Sequence, residues 1–158
     1  MTSSLRITSM CLVRSIATVL IVLYLGFPGC ADQGEATVDS LVPGSEPSAY
    51  AYRAYTSAGV LAVVGTLTMA RSDSTTIAGT WASEGVSSTD SVGPQLGAGT
   101  LAGELTGARL SLNLNPGWAD NNVILIGSIE GEKIVGTWTW VTFAGPRTHG
   151  TFEAVKKK

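Results

Sequence analysis

The chain has 158 residues, with 10 Lys and Arg, 12 Asp and Glu and a single His, which gives a net charge of −2 at pH 7. This balance excludes a nucleic-acid partner held by a basic surface, because such binding depends on cationic side chains that displace counterions from the phosphates. One basic run is present, Lys156 to Lys158, and at a chain end it is interpreted as a solvated tail.

The N-terminal segment has the pattern of a signal peptide. Arg6 and Arg14 precede an uncharged apolar run of 12 residues, Ile16 to Phe27. A membrane-spanning helix needs about 20 such residues, so this run is too short to be an anchor helix. We therefore predict that residues 1–29 are a signal peptide.

The segment GFPGC, residues 26–30, resembles the lipobox of bacterial lipoproteins. The resemblance implies that Cys30 carries fatty acyl chains and becomes the mature N-terminus, which would hold the protein on a membrane of the bacterial cell envelope. Ala31 after this cysteine implies, by resemblance to Gram-negative lipoproteins, the outer rather than the inner membrane. Translation starts at Met1 or at Met10; both readings keep a signal peptide. If Cys11 leaves with that peptide while Cys30 is lipidated, no disulfide can form.

Residues 30–48 are predicted to be the lipidated cysteine followed by a flexible tether. Acidic, Gly, Ser and Pro residues dominate this stretch and leave little to bury. A coil of this length spans on the order of 23 Å. We expect it to hold a folded domain, residues 49–158, just clear of the membrane.

The domain consists of short alternating runs separated by turn residues, which is typical of an all-β barrel or sandwich. No connection is long enough for a crossover helix, so we predict an antiparallel, up-and-down meander. The first run could instead begin a short helix, since Ser45 precedes Glu46 and Pro47. The eight runs are 49–55, 60–70, 75–84, 99–105, 109–115, 122–130, 133–143 and 148–155.

Five of these runs contain a frame with Gly at its centre and an apolar residue two positions before and two positions after it, most clearly IAGTW (77–81) and IVGTW (134–138). A degenerate sixth copy, around Gly150, begins with Thr148 in place of an apolar residue. With a period of two, each glycine shares a face with its apolar neighbours. Strand glycines mark bends or close backbone approach, and bends on one face favour a sheet that closes into a small eight-stranded barrel over a β-sandwich. The six glycines are Gly65, Gly79, Gly103, Gly127, Gly136 and Gly150.

Eight strands enclose a space that side chains can fill or that can hold one small ligand. This architecture resembles the calycins, the group that contains lipocalins and avidins, and IAGTW is similar to avidin strands. The resemblance covers residues 49–155 and implies the architecture. It carries no ligand-contacting residues over to this chain.

In a meander, the connections alternate between the two ends, and the long ones gather at one end. We therefore predict an open, loop-rich mouth, with Trp81 and Trp140 pointing inward near it, Trp138 deeper, and Trp118 in a mouth loop. Arg147 begins the strand that leaves the mouth. These five residues are the candidate ligand contacts, although the tryptophans could equally fill the core.

Catalytic patterns are absent from the sequence, which has one histidine, no nucleophile elbow and no cluster of metal ligands. We expect a non-enzymatic protein without metal or cofactor that binds a small apolar or amphipathic ligand at the barrel mouth. One alternative is an envelope scaffold or inhibitor whose loops bind a partner protein. Another is a barrel isomerase or cyclase that relies on the shape of its pocket.

Overall fold

The computed structural model describes residues 46–86 and 92–158, which form eight antiparallel strands and no helix. Each strand pairs with the next, and the last pairs with the first, so the sheet closes into a barrel. The strands are β1 (Ser48–Thr56), β2 (Leu61–Arg71), β3 (Thr76–Gly85), β4 (Gly97–Thr106), β5 (Arg109–Asn113), β6 (Asn122–Glu130), β7 (Lys133–Thr142) and β8 (Gly145–Lys156).

The predicted all-β meander and its closure into a barrel are confirmed, and the alternative of a sandwich is wrong. Residues 49–55 belong to a strand and not to a helix, because Tyr50, Tyr52 and Ala54 alternate inward along β1. The predicted signal peptide, Cys30 and residues 30–45 of the predicted tether lie outside the described residues.

Inward-facing side chains from all eight strands pack into one core. Each buried aliphatic or aromatic side chain contributes about 1.5–3 kcal/mol to folding. Almost none of their surface is accessible, so no water-sized space remains beside them and side chains fill the barrel. The largest of them are Trp138, Tyr50, Tyr52, Leu67, Met69, Ile77, Leu101, Leu110, Leu112, Leu114 and Leu125.

At each of the six frame glycines, the backbone of a neighbouring strand lies directly against the glycine. A Cβ atom added at any of them would fall within 3.0 Å of a backbone carbonyl oxygen of the adjacent strand, so no side chain fits there. The turn glycines differ: Gly107 and Gly131 have φ of +59° and +63° and open space around them. They form tight hairpin connections that require the left-handed region.

The two ends of the barrel are built differently. At one end, which we call the loop end, lie the connections 57–60, 86–96, 114–121 and 143–144. Of the second of these, the structure describes residues 86 and 92–96. What we call the turn end carries the connections at 72–75, 107–108 and 131–132, together with the start of β1 and the end of β8. The C-terminal lysines at the turn end are held in place: the Lys157 amide donates to the Ala49 carbonyl, and its Nζ donates to the Thr66 hydroxyl at 2.7 Å.

Candidate functional site

Trp81 and Trp138 are both buried. Trp81 lies in the first half of the barrel, strands β1–β4, and Trp138 lies in the second half, strands β5–β8, and the two make equivalent contacts. Trp81 on β3 pairs with Gly99 on β4, and Trp138 on β7 pairs with Gly150 on β8. Each indole lies so close to its glycine that an added Cβ would come within 3.0 Å of the indole nitrogen. Both rings therefore act first as core side chains that require glycine on the neighbouring strand.

Each indole N–H reaches across the glycine strand to a carbonyl on the next segment. Trp81 Nε1 donates to the Leu114 carbonyl oxygen, just after β5, and Trp138 Nε1 donates to the Tyr55 carbonyl oxygen of β1 at 2.8 Å. We call these two arrangements the Trp81 seam (Trp81, Gly99, Leu114) and the Trp138 seam (Trp138, Gly150, Tyr55). Buried indole N–H groups need such partners, so neither is available to a ligand.

Residues 92–96, which we call the covering segment, close the barrel at the loop end. Val92 and Gln95 are fully buried. The Tyr52 hydroxyl, which comes from inside the barrel, donates to Gln95 Oε1 at 2.9 Å, and Gln95 Nε2 donates to the Val92 carbonyl at 2.8 Å. Burial raises the pKa of Tyr52, which keeps its hydroxyl a neutral donor.

Trp140 and Asn115 hold the covering segment from the sides. Trp140 is half-buried against the core, and its ring lies against Gly93, where φ is +65° and no Cβ could be accommodated. Trp140 Nε1 donates to Asn121 Oδ1 at 3.3 Å, and Asn115 Nδ2 donates to the Pro94 carbonyl at 3.1 Å. The predicted open mouth is therefore covered, because residues 92–96, at the end of the long β3–β4 connection, lie over it.

A cleft of about 220 Å³ remains at the loop end, beside the Trp138 seam. It forms because β8 begins at Gly145 whereas its pairing with β1 starts only at Gly150, opposite Thr56. Five residues of β8 thus extend past the end of β1 and leave a gap next to the β1–β2 turn. The cleft is lined by Thr56, Ser57, Trp138, Arg147, Thr148 and His149.

Of the five predicted ligand contacts, the structure brings Trp138 and Arg147 together in this cleft. Trp81, Trp140 and Trp118 lie elsewhere. His149 is exposed on the outer face of β8, and it lines the cleft because that strand overhangs. Sequence reasoning missed Thr56, Ser57, Thr148 and His149, since the overhang depends on where β1 ends.

A second depression, of about 360 Å³, lies beside the Trp81 seam on the outer face of β2 to β4. None of its lining side chains carries a charge. They are Thr66, Thr68, Thr80, Trp81, Ala82, Ala98 and Gly99. The two seams therefore border depressions of different chemistry, since Arg147 and His149 line only the cleft beside Trp138.

Most large exposed apolar side chains of the described residues lie in the connections at the loop end, in a set that we call the apolar rim. Phe143 is 82 % exposed and Trp118 is 56 % exposed, and Asp120 joins their loops by accepting the Phe143 backbone N–H at 2.8 Å. Among the described residues, only Ile126 is a large exposed apolar side chain elsewhere, on the outer face of β6. The apolar rim comprises Val60, Val86, Leu96, Trp118 and Phe143.

Comparison with protein-family models, with curated proteins and with solved structures finds no match to this chain. Within residues 46–86 and 92–158, no three His, Cys, Asp or Glu side chains are grouped to hold a metal ion. Over the same residues, no helix long and apolar enough to cross a membrane is found. Of the predicted architecture, the structure shows a small eight-stranded antiparallel barrel.

Proposed function

We propose that this chain is a non-catalytic binding module of a bacterial cell envelope, held on the outer membrane by lipid on Cys30, whose apolar rim binds a partner protein. The observation that carries the proposal is the segregation of exposed apolar side chains: of the six large ones in residues 46–86 and 92–158, five lie at the loop end. Apolar groups gathered on one surface mark interaction sites, whereas scattered ones do not.

The composition of the apolar rim supports a protein partner. Trp118 and Phe143 are its most exposed members, and aromatic side chains dominate the binding energy of protein interfaces. The packed barrel and the covering segment give the rim a rigid base, and a rigid scaffold that presents loops is a common arrangement for binding sites.

The position of the apolar rim also fits a lipid-anchored module. β1 begins at Ser48 at the turn end, so the chain that leads back to Cys30 joins the barrel there. The rim lies at the opposite end. A partner in the aqueous space can therefore reach the rim while acyl chains on Cys30 hold the protein on the membrane.

The test of the rim uses the immobilised full chain and an envelope extract of the bacterium that makes it. We expect one stoichiometric protein partner, whose affinity is then measured by calorimetry with purified components. Replacing Trp118 and Phe143 with Ala should weaken that affinity at least about 30-fold, since two aromatic contacts contribute on the order of 1–2 kcal/mol each. Ile126→Ala, the matched exposed control, should leave it unchanged. Equal loss in the control, or binding of the rim to lipid vesicles in place of a protein, contradicts the proposal.

The lipid anchor has its own test. Cys30→Ser removes the acylated thiol, so we expect the protein to move from the membrane fraction to the soluble fraction of the cells. Mass spectrometry of the wild-type N-terminus should show acyl chains on Cys30. Continued membrane association of the variant would rule out anchoring through Cys30.

A small amphipathic ligand at the loop end is the second candidate function. The observation that favours it is the cleft, in which two of the predicted contacts, Trp138 and Arg147, meet. Because the barrel itself is filled, such a ligand binds in this surface cleft and not among the strands.

A further inference from the structure

The cleft beside Trp138 is lined by hydrogen-bond donors and by no acidic side chain. Arg147 supplies a guanidinium, His149 supplies an imidazole, and Thr56 and Ser57 supply hydroxyls. The Thr56 hydroxyl oxygen accepts the Val60 backbone N–H at 3.2 Å, which leaves its own hydrogen free to be donated. A guanidinium has five N–H donors and no acceptor, so the group that complements this lining is rich in acceptors.

The acidic side chain nearest along this face of β8 is already engaged. Glu153 Oε1 accepts from Arg53 Nη1 and from the Tyr55 hydroxyl, both at 3.2 Å. Among the described residues, that contact with Arg53 is the only salt bridge, so the Arg147 guanidinium has no carboxylate partner there. Its positive charge is therefore available to a bound anion.

The size of the cleft limits what it can hold. At about 220 Å³ it is smaller than the 300–1,000 Å³ pockets that take drug-sized ligands. Trp138 contributes little more than a ring edge, since it is almost fully buried and its N–H is bonded to Tyr55. The space suits an anionic group with a short organic portion.

We infer that this cleft binds an oxyanion, the carboxylate or phosphate of a small acid, through Arg147 and His149. Charge-assisted hydrogen bonds from Arg to such groups are short, and they are bidentate where geometry allows. This inference rests on the second candidate function, small-ligand binding in the cleft, and is independent of the apolar rim. The two can therefore fail separately.

The test uses the full chain, isotopically labelled, and follows one histidine and two indole signals by NMR. His149 is the single histidine of the chain, so its imidazole resonance needs no assignment. Sodium acetate and inorganic phosphate are titrated separately at constant ionic strength and pH, with chloride as the reference salt. We expect saturable shifts at His149 and at the Trp138 indole with one of the two anions, while the Trp81 indole stays unchanged.

Two variants separate binding in the cleft from general attraction to a cation. Arg147→Gln should weaken the affinity about tenfold or more, the effect of losing a hydrogen bond from a charged group. Arg109→Gln, a matched exposed arginine at the start of β5, should leave it unchanged. Acetate preferred over phosphate identifies a carboxylate site, and the reverse identifies a phosphate site.

Several results would overturn the inference. These are shifts that grow linearly without saturation, equal shifts with chloride, equal response of the Trp81 indole, or an unchanged affinity in Arg147→Gln. Because Arg147 is exposed, the variant is expected to fold, and Arg147→Lys, which keeps the charge, should bind more tightly than Arg147→Gln. Loss of anion binding with an intact rim partner would remove only the second candidate function.

Discussion

Trp81 in the first half of the barrel and Trp138 in the second make the same contacts across the sheet. In both halves the indole crosses an inward glycine and donates to a carbonyl on the segment beyond it. The glycine two residues before each tryptophan is equivalent as well: Gly79 lies against the Thr68 carbonyl, and Gly136 lies against the Ile126 carbonyl. The repeated pentapeptides therefore mark two equivalent positions, four strands apart.

The halves differ in what connects the two strands of each seam. In the first half, β3 and β4 are joined by the long connection whose residues 92–96 cover the barrel. In the second half, β7 and β8 are joined by the short turn 143–144, and the overhang of β8 leaves the cleft open. The same strand motif thus supports closure on one side and a candidate binding site on the other.

The largest effect is expected at the glycines before the tryptophans. Gly79→Ala and Gly136→Ala place a Cβ against a backbone carbonyl that cannot move independently of its strand. We expect each to lower the free energy of unfolding by more than about 3 kcal/mol, measured by urea denaturation. The two values should be similar because the two positions are equivalent.

Gly117→Ala is the control for these glycine variants. Gly117 lies in the β5–β6 loop with nothing within 4 Å of an added Cβ, so its substitution should change stability by no more than about 0.5 kcal/mol. A cost near zero at either Gly79 or Gly136 would mean that the strands do not approach each other as closely as described.

The tryptophan N–H bonds come next in size. Trp81→Phe and Trp138→Phe remove the indole nitrogen, which leaves the Leu114 or Tyr55 carbonyl without that donor and opens a small cavity in the core. We expect each to cost about 2–4 kcal/mol in unfolding free energy. Equal costs would show that the seams are equivalent. A much smaller cost at Trp138 would indicate that the open cleft lets water replace the lost donor.

The covering segment provides a prediction that applies to the first half alone. Gln95→Leu leaves the buried Tyr52 hydroxyl without its acceptor, so we expect a cost of about 1–3 kcal/mol. Combining it with Tyr52→Phe should cost less than the sum of the single variants by about 1 kcal/mol, because both partners of the bond are then removed. Strict additivity in this double-mutant cycle would show that the two side chains are not coupled.

Tyr55→Phe serves as the matched control for the covering segment. Its hydroxyl also donates to a side-chain oxygen, that of Glu153, but at the partly exposed outer surface. We expect its removal to change stability by no more than about 0.5 kcal/mol. The contrast with Tyr52 isolates the contribution of burial.

Periodicity was enough to predict the strands and their closure. Inward residues such as Tyr50 and Tyr52, and the glycine frame itself, follow local rules of alternation and close approach. The covering segment follows no such rule, since Gln95 is buried through a bond to Tyr52, 43 residues earlier, and Gly93 with Pro94 is typical of any surface loop. The cleft depends on where β1 ends relative to β8, which is a matter of register. Trp118, predicted in a mouth loop, was one sequence signal for the apolar rim, and Phe143, an aromatic residue in a short turn, was a second signal that could have been used.

The smallest effect on stability is expected at the turn end, in the β2–β3 turn. Hydrogen bonds from the backbone N–H groups of Thr75 and Thr76 to Asp73 Oδ1, both at 2.8 Å, lower the pKa of Asp73 from its ordinary 3.8 to about 2. Its contribution to stability is therefore complete above about pH 4 and is lost as the pH falls toward 2. Asp73→Asn should flatten the stability profile between pH 4 and 2 relative to wild type, as measured by urea unfolding at each pH.

Glu132→Gln is the control in the equivalent β6–β7 turn, because the Glu132 side chain makes no hydrogen bond among the described residues, and it should follow the wild-type profile. A profile for Asp73→Asn that also matches wild type would mean that the carboxylate does not cap this turn in solution.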